Sequence, residues 1–433
     1  MSIRQFFLAA GLGLATLAAT AQAPAANAPA GALSLAQALQ AARDNLEVAL
    51  ARHALRGAQA DIVAADRRPF PTFSAGLGSL DLQHGNGSGN PWTEQTIDKS
   101  IGLDWTWERG NKRELRTLSA RRAADAAQAD LDDMRVQQQL AAWYGFFDLL
   151  ATQERLREVG EIERSASQLA SAAHKRLQAG DLAAHEAART EIEAQRALSD
   201  LRQAELERQR AALLLWQATG LATPPEQLQA QPEWPAAGGA LSAPQDLEAL
   251  VEARPDVRAA QARANAAQAA LDSANAQRKA DITWGTSYSH QPGTSISMLA
   301  LRMSMPLQWG YDYQGEIARA AAQLSQAQDL LEKTRRLARL ELQRLQHEAR
   351  ATAERSRVYD GDILPRARKV AANAELAYTK GALSLTDLLD ARRTLRATLL
   401  EALAARTEHA KATGAWQLRT QPSAAPATPT SPQ

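Results

Sequence analysis

The stretch that decides the fold reads YTKGALSLTDLLD and spans residues 378–390. A related stretch, RLQAGDL, spans residues 176–182. In each stretch a glycine, Gly381 or Gly180, follows a long run of helix-forming residues and precedes another run. Because glycine has no Cβ, it adopts a positive φ without steric cost and often ends a helix in this way. The sequence therefore predicts that the two glycines lie at the far tips of two long helical hairpins.

The helical runs around these turns are much longer than the helices of ordinary globular domains. The long runs cover residues 111–179 and 314–380, and return helices cover 182–219 and 383–416. At a rise of about 1.5 Å per residue, each long helix would span roughly 100 Å. Pro365 interrupts the second long run, and we expect it to kink the helix or loosen a turn. Alanine-rich amphipathic helices of this length are suited to packing side by side.

Four β-strands are predicted between the helical runs, at about residues 72–82, 97–107, 281–290 and 296–307. Apolar and polar residues alternate along 97–107, where Ile101, Leu103 and Trp105 share one face. Strands of about ten residues with one apolar face are typical of outer-membrane barrels. Four strands cannot span a membrane as an open sheet, because lipid does not satisfy the hydrogen bonds of the two edges. The sequence therefore predicts that several chains pool their strands.

The same order of elements occurs twice along the chain, which predicts two internal repeats. Repeat 1 covers residues 33–220 and repeat 2 covers 246–417, with an equatorial linker at 221–245 between them. Each repeat is predicted to contain a helix, two strands, a long helix, a tip and a return helix. In repeat 1 the first helix is predicted to be capped by Ser34 and to extend to about Arg68.

The two ends of the chain differ from the repeats. Residues 1–23 have the pattern of a cleaved signal peptide, and an Ala/Pro-rich linker follows at 24–32. The apolar run at 6–19 is too short to favour the alternative, a membrane anchor. We therefore expect the chain to be exported. Residues 418–433 are rich in Pro, Ser, Thr and Ala and are predicted to be disordered.

The composition excludes several classes of function. The 433 residues include no cysteine, so disulfides, thiolate nucleophiles, thiolate metal sites and a lipidated N-terminal cysteine are excluded. The net charge of +1 argues against nucleic-acid binding, which usually needs a basic patch. We expect neither a cofactor nor an enzymatic activity, because no phosphate-binding loop or nucleophile–base motif is recognisable. The seven histidines have no ligand spacing, so no metal site is expected.

Over about residues 33–416 the sequence resembles the TolC family of outer-membrane factors. The resemblance depends on the duplicated plan and on three stretches: RPDV at 254–257, LQW at 307–309 and the tip pattern at 378–390. In that family three chains share a 12-stranded outer-membrane β-barrel and a periplasmic α-barrel of 12 helices. The implied fold class is mainly α with a small β part. Long helical hairpins would form the α-barrel, and each chain would contribute four strands to the β-barrel.

The resemblance implies a trimeric exit duct of a tripartite efflux system in the outer membrane. The expected partners are two further copies of the chain, a periplasmic adaptor protein, a proton-driven inner-membrane pump and outer-membrane lipid. The stretch ERGNKR at 108–113 is similar to a segment of cobalt–zinc–cadmium exporters, so metal cations are the expected substrate. Drugs or other organic solutes and type I secretion are alternatives. A soluble periplasmic coiled-coil adaptor or scaffold is a different alternative, which the strands with apolar faces disfavour.

Three residues at the second tip are candidates for the periplasmic aperture: Tyr378, Asp387 and Asp390. The resemblance implies this role, since the family carries a tyrosine and aspartates at the matching positions. The residues alone favour a simpler interpretation, in which Ser384 and Asp387 form a capping box and acids suit the first turn of a helix. Leu383 stands where better-studied members of the family have an arginine, so an arginine lock from this position is not expected.

The first tip does not duplicate these acids, since Glu186 and Arg189 occupy the corresponding positions. The resemblance implies that the two tips contact the adaptor protein. The alternative is that the same residues only turn the chain. The candidate contact residues are Gly180, Leu182, Gly381, Leu383 and Ser384.

Tryptophans cluster in or beside the predicted strands; they are Trp92, Trp105, Trp107, Trp284 and Trp309. An aromatic girdle at the membrane interface explains this placement better than a ligand cage does. Met303 and Met305 could form a soft-metal relay. They share the apolar face with Leu301, however, which favours contact with lipid.

Overall fold

The computed structural model describes residues 32–90, 92, 94–236, 246–291 and 295–420. The predicted signal peptide and nearly all of the linker at 24–32 lie outside the described residues. Part of the equatorial linker and residues 421–433 also lie outside them. The last helix extends to Thr420, so residues 418–420 of the tail, which we predicted to be disordered, are helical.

In the described chain, helices and strands alternate in blocks. The first half contains α1 (Leu35–Ala42), α2 (Leu46–Ala65), β1 (Thr72–Gly78), β2 (Asp98–Trp107), α3 (Lys112–Gln178) and α4 (Ala184–Thr219). A short 3₁₀ turn at Pro225–Gln227 follows. The second half contains α5 (Leu247–Ala253), α6 (Pro255–Ala276), β3 (Ile282–Gln291), β4 (Ser295–Ser304), α7 (Gln314–Val358), α8 (Leu364–Thr379) and α9 (Leu385–Thr420).

The structure corrects the predicted first helix of repeat 1, which is two helices rather than one that extends to Arg68. Asn45 caps α2, because its side-chain oxygen accepts a hydrogen bond from the N–H of Val48 at 3.0 Å. The amide nitrogen of Asn45 donates to the carbonyl oxygen of Ala218 at 3.0 Å. Asparagine favours N-caps over helix interiors. The contact with α4 therefore stabilises the break.

Two strands are shorter than predicted. β1 ends at Gly78 rather than near residue 82, because the next residue, Ser79, has a left-handed φ of 55° that does not fit a strand. β4 ends at Ser304 rather than near residue 307. Pro306 has no N–H to donate to a strand ladder, which accounts for the earlier end.

The four strands form one antiparallel sheet in the order β1-β2-β3-β4, so β1 and β4 are its edges. The register places Trp105 directly opposite Trp284 on the apolar face. On the other face, where small and hydroxyl residues predominate, the hydroxyls of Thr106 and Thr283 lie 3.0 Å apart. The coarse fold prediction is confirmed: the described chain is mainly helical with a four-stranded antiparallel sheet.

The main core lies where α3 packs against α1, α4 and α9. Trp143 of α3 donates its indole N–H to the carbonyl oxygen of Ala410 in α9 at 2.8 Å. Gly145 of α3 faces the backbone of Leu215 in α4, and Gly414 of α9 faces the ring of Trp143. Residues without side chains at these contacts let the long helices approach closely enough to pack at interior density.

The second long helical run is not uniform. A π-helical segment, Tyr359–Ile363, separates α7 from α8. Pro365 lies in the first turn of α8. In a regular helix its ring would clash with the preceding turn and its missing N–H would leave a carbonyl unpaired. The wider π-helical turn relieves both problems, so the chain continues as a helix through Pro365.

Two helices keep large apolar side chains exposed on their outer faces. They are Leu206, Leu213, Leu214 and Trp216 on α4 and Leu330, Leu337 and Leu340 on α7. α4 packs on α3, while α7 packs on α6 and α9, and these contacts leave the apolar residues uncovered. Within the described residues, no helix has a stretch that is both long and apolar enough to cross a bilayer.

Candidate functional site at the helical tips

Both tips turn through a glycine with a left-handed backbone. Gly180 has a φ of 81° and Gly381 a φ of 74°. The N–H groups that follow them reach back across the turn: Asp181 donates to the carbonyl oxygen of Arg176 at 2.9 Å, and Ala382 donates to that of Ala377 at 2.8 Å. This pattern closes a helix C-terminus and satisfies carbonyls that would otherwise be unpaired. Space around both glycines is open, so the backbone conformation, not crowding, requires them.

At the second tip, Ser384 and Asp387 make the local contacts of a helix N-cap. The Ser384 hydroxyl oxygen accepts a hydrogen bond from the N–H of Asp387 at 3.2 Å and donates to the Asp387 carboxylate at 2.7 Å. Asp390 lies one turn further along α9, and both carboxylates are exposed. In the described part of the chain neither aspartate takes part in an ion pair. Asp387 can therefore support the N-cap made by Ser384 and still present a charge to solvent.

Two arginines of the first hairpin reach the second tip. The guanidinium group of Arg176 donates to the hydroxyl of Tyr378 at 3.4 Å. Arg189 donates to the hydroxyl of Thr386 at 3.1 Å. The family resemblance suggested a locking arginine only at position 383, where this chain has Leu383. Arginines on the first hairpin thus contact the second tip. The only sequence signals for these contacts are the positions of the two arginines, Arg176 four residues before Gly180 and Arg189 nine residues after it.

Further from the tips, three arginines within about one turn of α9 connect it to its neighbours. Arg393 pairs with Glu193 of α4 at 3.1 Å, and Arg396 pairs with Asp200 of α4. Arg392 pairs with Glu375 of α8 at 2.6 Å. A cavity of about 310 Å³ lies between α3, α4, α8 and α9 at this level. The ion pairs of Arg393 and Arg396 thus join the two hairpins next to this cavity.

The π-helical segment is also tied to α9. The guanidinium group of Arg406 pairs with the carboxylate of Asp360 at 2.7 Å. This hydrogen bond raises the pKa of Arg406 further above its ordinary value, although partial burial opposes the shift. The arginine therefore stays charged at any physiological pH. This ion pair holds the π-helical segment against α9, further from the tip than the ion pairs of Arg393 and Arg396.

The tryptophans occupy two levels of the sheet. Trp105, Trp107 and Trp284 lie at the end of the sheet that continues into the helices, and Trp309 follows β4 on the way to α7. Trp92 lies in the loop at the opposite end, where the ammonium of Lys99 is 5.7 Å from its ring centroid. In the described part of the chain, no group of three or more His, Asp or Glu side chains could hold a metal ion.

Comparisons with known proteins give likeness in both sequence and fold. The cobalt–zinc–cadmium resistance protein CzcC of Cupriavidus metallidurans is 26% identical over 293 residues, which cover 66% of this chain and 68% of CzcC. The solved outer-membrane channel OprN matches with a TM-score of 0.74 and 21% identity over 90% of each chain. A structure of CusC matches with a TM-score of 0.73 and 17% identity over 89% of this chain and 91% of CusC. No protein-family profile matches the chain.

The Campylobacter jejuni CmeC outer-membrane channel also shares the fold, with a TM-score of 0.73 and 15% identity over 89% of this chain and 85% of CmeC. The fold of this chain, with long helical hairpins joined to a four-stranded antiparallel sheet, is thus shared with solved outer-membrane channels. The predicted resemblance to the TolC family of outer-membrane factors is confirmed, because the chain is similar to CzcC in sequence and to solved outer-membrane channels in fold.

Proposed function

We propose that this chain forms the trimeric outer-membrane exit duct of a tripartite efflux system and passes substrate from the periplasm to the exterior. The observation that carries the proposal is the sheet, which has one apolar face, two unpaired edges and long helices at one end. Open edges are not tolerated in lipid, so the sheet needs partners before it can span a membrane. The duct would do no covalent chemistry and would need no cofactor.

The two sides of the chain support ring closure. β1 and β4 are the edges of the sheet, and the exposed apolar residues of α4 and α7 border the helical part. These sides differ, so the β4 and α7 side of one chain would meet the β1 and α4 side of the next. Head-to-tail contacts of this kind form a ring when the rotation from one chain to the next closes. Three chains with four strands each would give a 12-stranded barrel, and the recurring order of elements supports two repeats per chain.

The exposed strand face and its tryptophans suggest how the duct sits in the outer membrane. Trp105, Trp107, Trp284 and Trp309 would form a girdle at the periplasmic interface, and Trp92 would lie at the outer one. The helices would then extend into the periplasm. Residues 1–23 would be removed as a signal peptide, and attachment would need no lipid anchor.

The helical tips would be the periplasmic mouth of the duct. Tyr378, Asp387 and Asp390 would line the aperture, where three chains contribute six carboxylates. The bridges from Arg176 and Arg189 would hold the two hairpins together in the resting state. Gly180, Leu182, Gly381, Leu383 and Ser384 would contact the adaptor protein, which couples the duct to a proton-driven inner-membrane pump.

Metal cations are the proposed substrate. The supporting observation is the likeness to CzcC, a cobalt–zinc–cadmium resistance protein. Organic solutes such as drugs are the second candidate, because the fold that this chain shares with the OprN and CmeC channels does not by itself select a substrate. The carboxylates of Asp387 and Asp390 suit cations better than neutral organic compounds.

A deletion strain tests the substrate directly. We expect it to become sensitive to zinc, cobalt and cadmium, and a plasmid copy of the gene to restore growth. A panel of hydrophobic toxins run in parallel would reveal the organic-solute alternative. Sensitivity to the toxins without sensitivity to metals would contradict the metal assignment. Membrane fractionation tests the duct itself, since a chain released by a carbonate wash would be a soluble scaffold and not a barrel.

Removing the arginine bridges is expected to loosen the mouth. The Arg393→Ala, Arg396→Ala double variant loses both charged bridges between α9 and α4. Each partly exposed pair contributes about 0–1 kcal/mol, so the fold should survive while the open fraction rises about twofold to tenfold. Single-channel conductance of the purified resting protein in a planar bilayer measures this change.

The matched control for the bridges is Arg336→Ala. Arg336 pairs with Glu332 at 2.8 Å within α7, so its loss leaves the contacts between hairpins intact. We expect this variant to conduct like the wild type. Equal conductance of the double variant and the Arg336→Ala variant would show that the bridges do not hold the mouth.

A further inference from the structure

An ion pair crosses a whole strand on the polar face of the sheet. Asp104 of β2 and Arg302 of β4 are each directly opposite Gly285 of β3. Neighbouring strands lie about 4.8 Å apart, so the two charged residues start roughly 10 Å from each other. The guanidinium group of Arg302 nevertheless reaches the carboxylate of Asp104 at 2.8 Å. The pair therefore lies over the backbone of β3.

Gly285 makes this crossing possible. A Cβ at that position would lie 2.1 Å from the carboxylate Oδ1 of Asp104 and 3.3 Å from the Nη2 of Arg302. Carbon cannot approach an oxygen that closely, so any other residue would push the two side chains apart. Gly285 is thus a positioning residue, because the pair depends on the space that its missing side chain leaves.

Stability alone does not account for this arrangement. The Arg302 side chain is 69% exposed and that of Asp104 25% exposed. An ion pair with one partner so exposed adds little to stability. Glycine inside a strand weakens the strand. The ion pair of Asp104 and Arg302 thus adds little stability, and Gly285, which makes room for it, lowers stability. This combination points to a role for the charges themselves.

The charges are isolated on their face of the sheet. The same-face residues next to the pair are small or hydroxyl residues, such as Gly102, Ser287 and Ala300. Asp98 is charged but lies at the far end of β2, where its carboxylate accepts a hydrogen bond from Ser79. The pair lies near the opposite end, one residue from the Trp105 and Trp284 level.

We propose that Asp104 and Arg302 form a charge-balanced band on the lumen wall of the barrel, at its periplasmic end, and that this balance keeps that level of the lumen unselective between cations and anions. The inference rests on the proposed channel function. In a trimer the band would contain three carboxylates and three guanidinium groups. Because each arginine is held against the wall by its aspartate, the band carries no net charge and leaves cations free to pass. Unbalancing it would turn this level into a filter.

Reversal potentials of the purified channel in a KCl gradient test the band. Asp104→Asn leaves three unpaired guanidinium groups, and we expect the ratio of K⁺ to Cl⁻ permeability to fall about twofold or more. Arg302→Gln is expected to raise the ratio by a similar factor, and the double variant to return it to the wild-type value. Lys99→Gln is the control, because Lys99 lies on the apolar face of β2, and it should leave the ratio unchanged.

Gly285→Ala tests the positioning role without changing any charge. The added methyl group would separate the pair and release Arg302 into the lumen, so we expect a lower open-channel conductance. Unchanged permeability ratios in both single-charge variants would overturn the proposal, and unchanged conductance in Gly285→Ala would overturn the role of the glycine. A wild-type protein that does not conduct at all would instead refute the channel function on which the inference rests.

Discussion

Replacing Asp387 and Asp390 together with asparagine is expected to make the channel less selective for cations. Both carboxylates are exposed in the first two turns of α9, and within the described residues neither is neutralised by an ion pair. In the proposed trimer the change removes six negative charges at the narrow end of the duct. We expect the ratio of K⁺ to Cl⁻ permeability to fall about threefold or more. Reversal potentials in a KCl gradient measure this ratio.

Ser384→Ala is the matched control, because it separates the aperture role from the capping role. The variant removes the hydroxyl that bonds the N–H of Asp387 but keeps both carboxylates. It should lower stability by about 0.5–2 kcal/mol, as the loss of an N-cap does, while selectivity stays the same. If the aspartate variants lose stability but keep wild-type reversal potentials, the acids only cap the helix and the aperture assignment is wrong.

Gly414→Ala is expected to destabilise the main core, where α9 packs against α3. A Cβ at Gly414 would lie 1.8 Å from Cε2 and 2.0 Å from Nε1 of the Trp143 ring. The ring cannot move freely, since it is buried and its N–H is bonded to the carbonyl oxygen of Ala410 at 2.8 Å. Overpacking of this kind costs about 1–3 kcal/mol. Denaturant unfolding followed by far-UV circular dichroism measures the loss.

The control for this prediction is another glycine within a helix. Gly57 of α2 has no atom near the position of an added Cβ. Gly57→Ala should therefore raise stability by about 0.5–1 kcal/mol, because alanine is the better helix former. The same change from glycine to alanine would then lower stability at position 414 and raise it at position 57. Similar effects of both would show that the contact between Gly414 and Trp143 does not matter.

Periodicity and glycine placement were sufficient to predict the architecture. A helix of about 100 Å needs only a long run without proline or clustered glycine, and a strand face needs only alternation. The break before α2 was not predicted, because asparagine also occurs inside helices. The contact of Asn45 with Ala218, which lies in another helix, decides the outcome. The early ends of β1 and β4 depended on single residues, Ser79 and Pro306.

The contacts between hairpins were not predictable in this way. Arg176 and Tyr378 are about 200 positions apart along the chain, and arginines are frequent on all of these helices. Which of them meets a partner depends on the rotation and offset of one hairpin against the other. No local pattern encodes that offset, because polar helix faces of this kind tolerate many registers.

The tip pattern at 378–390 was sufficient to predict the end of one helix, a turn and the capped start of the next helix. Each of these features depends on residues within one or two helical turns of each other. The ion pair of Asp104 and Arg302 shows the opposite case. Alternation assigns both residues to the polar face, but only the register of three strands places them on either side of Gly285. Local backbone preferences act over a few residues and are written in sequence order. Pairing across strands and hairpins depends on the packing of the whole chain, and it is this packing that creates the charged contacts.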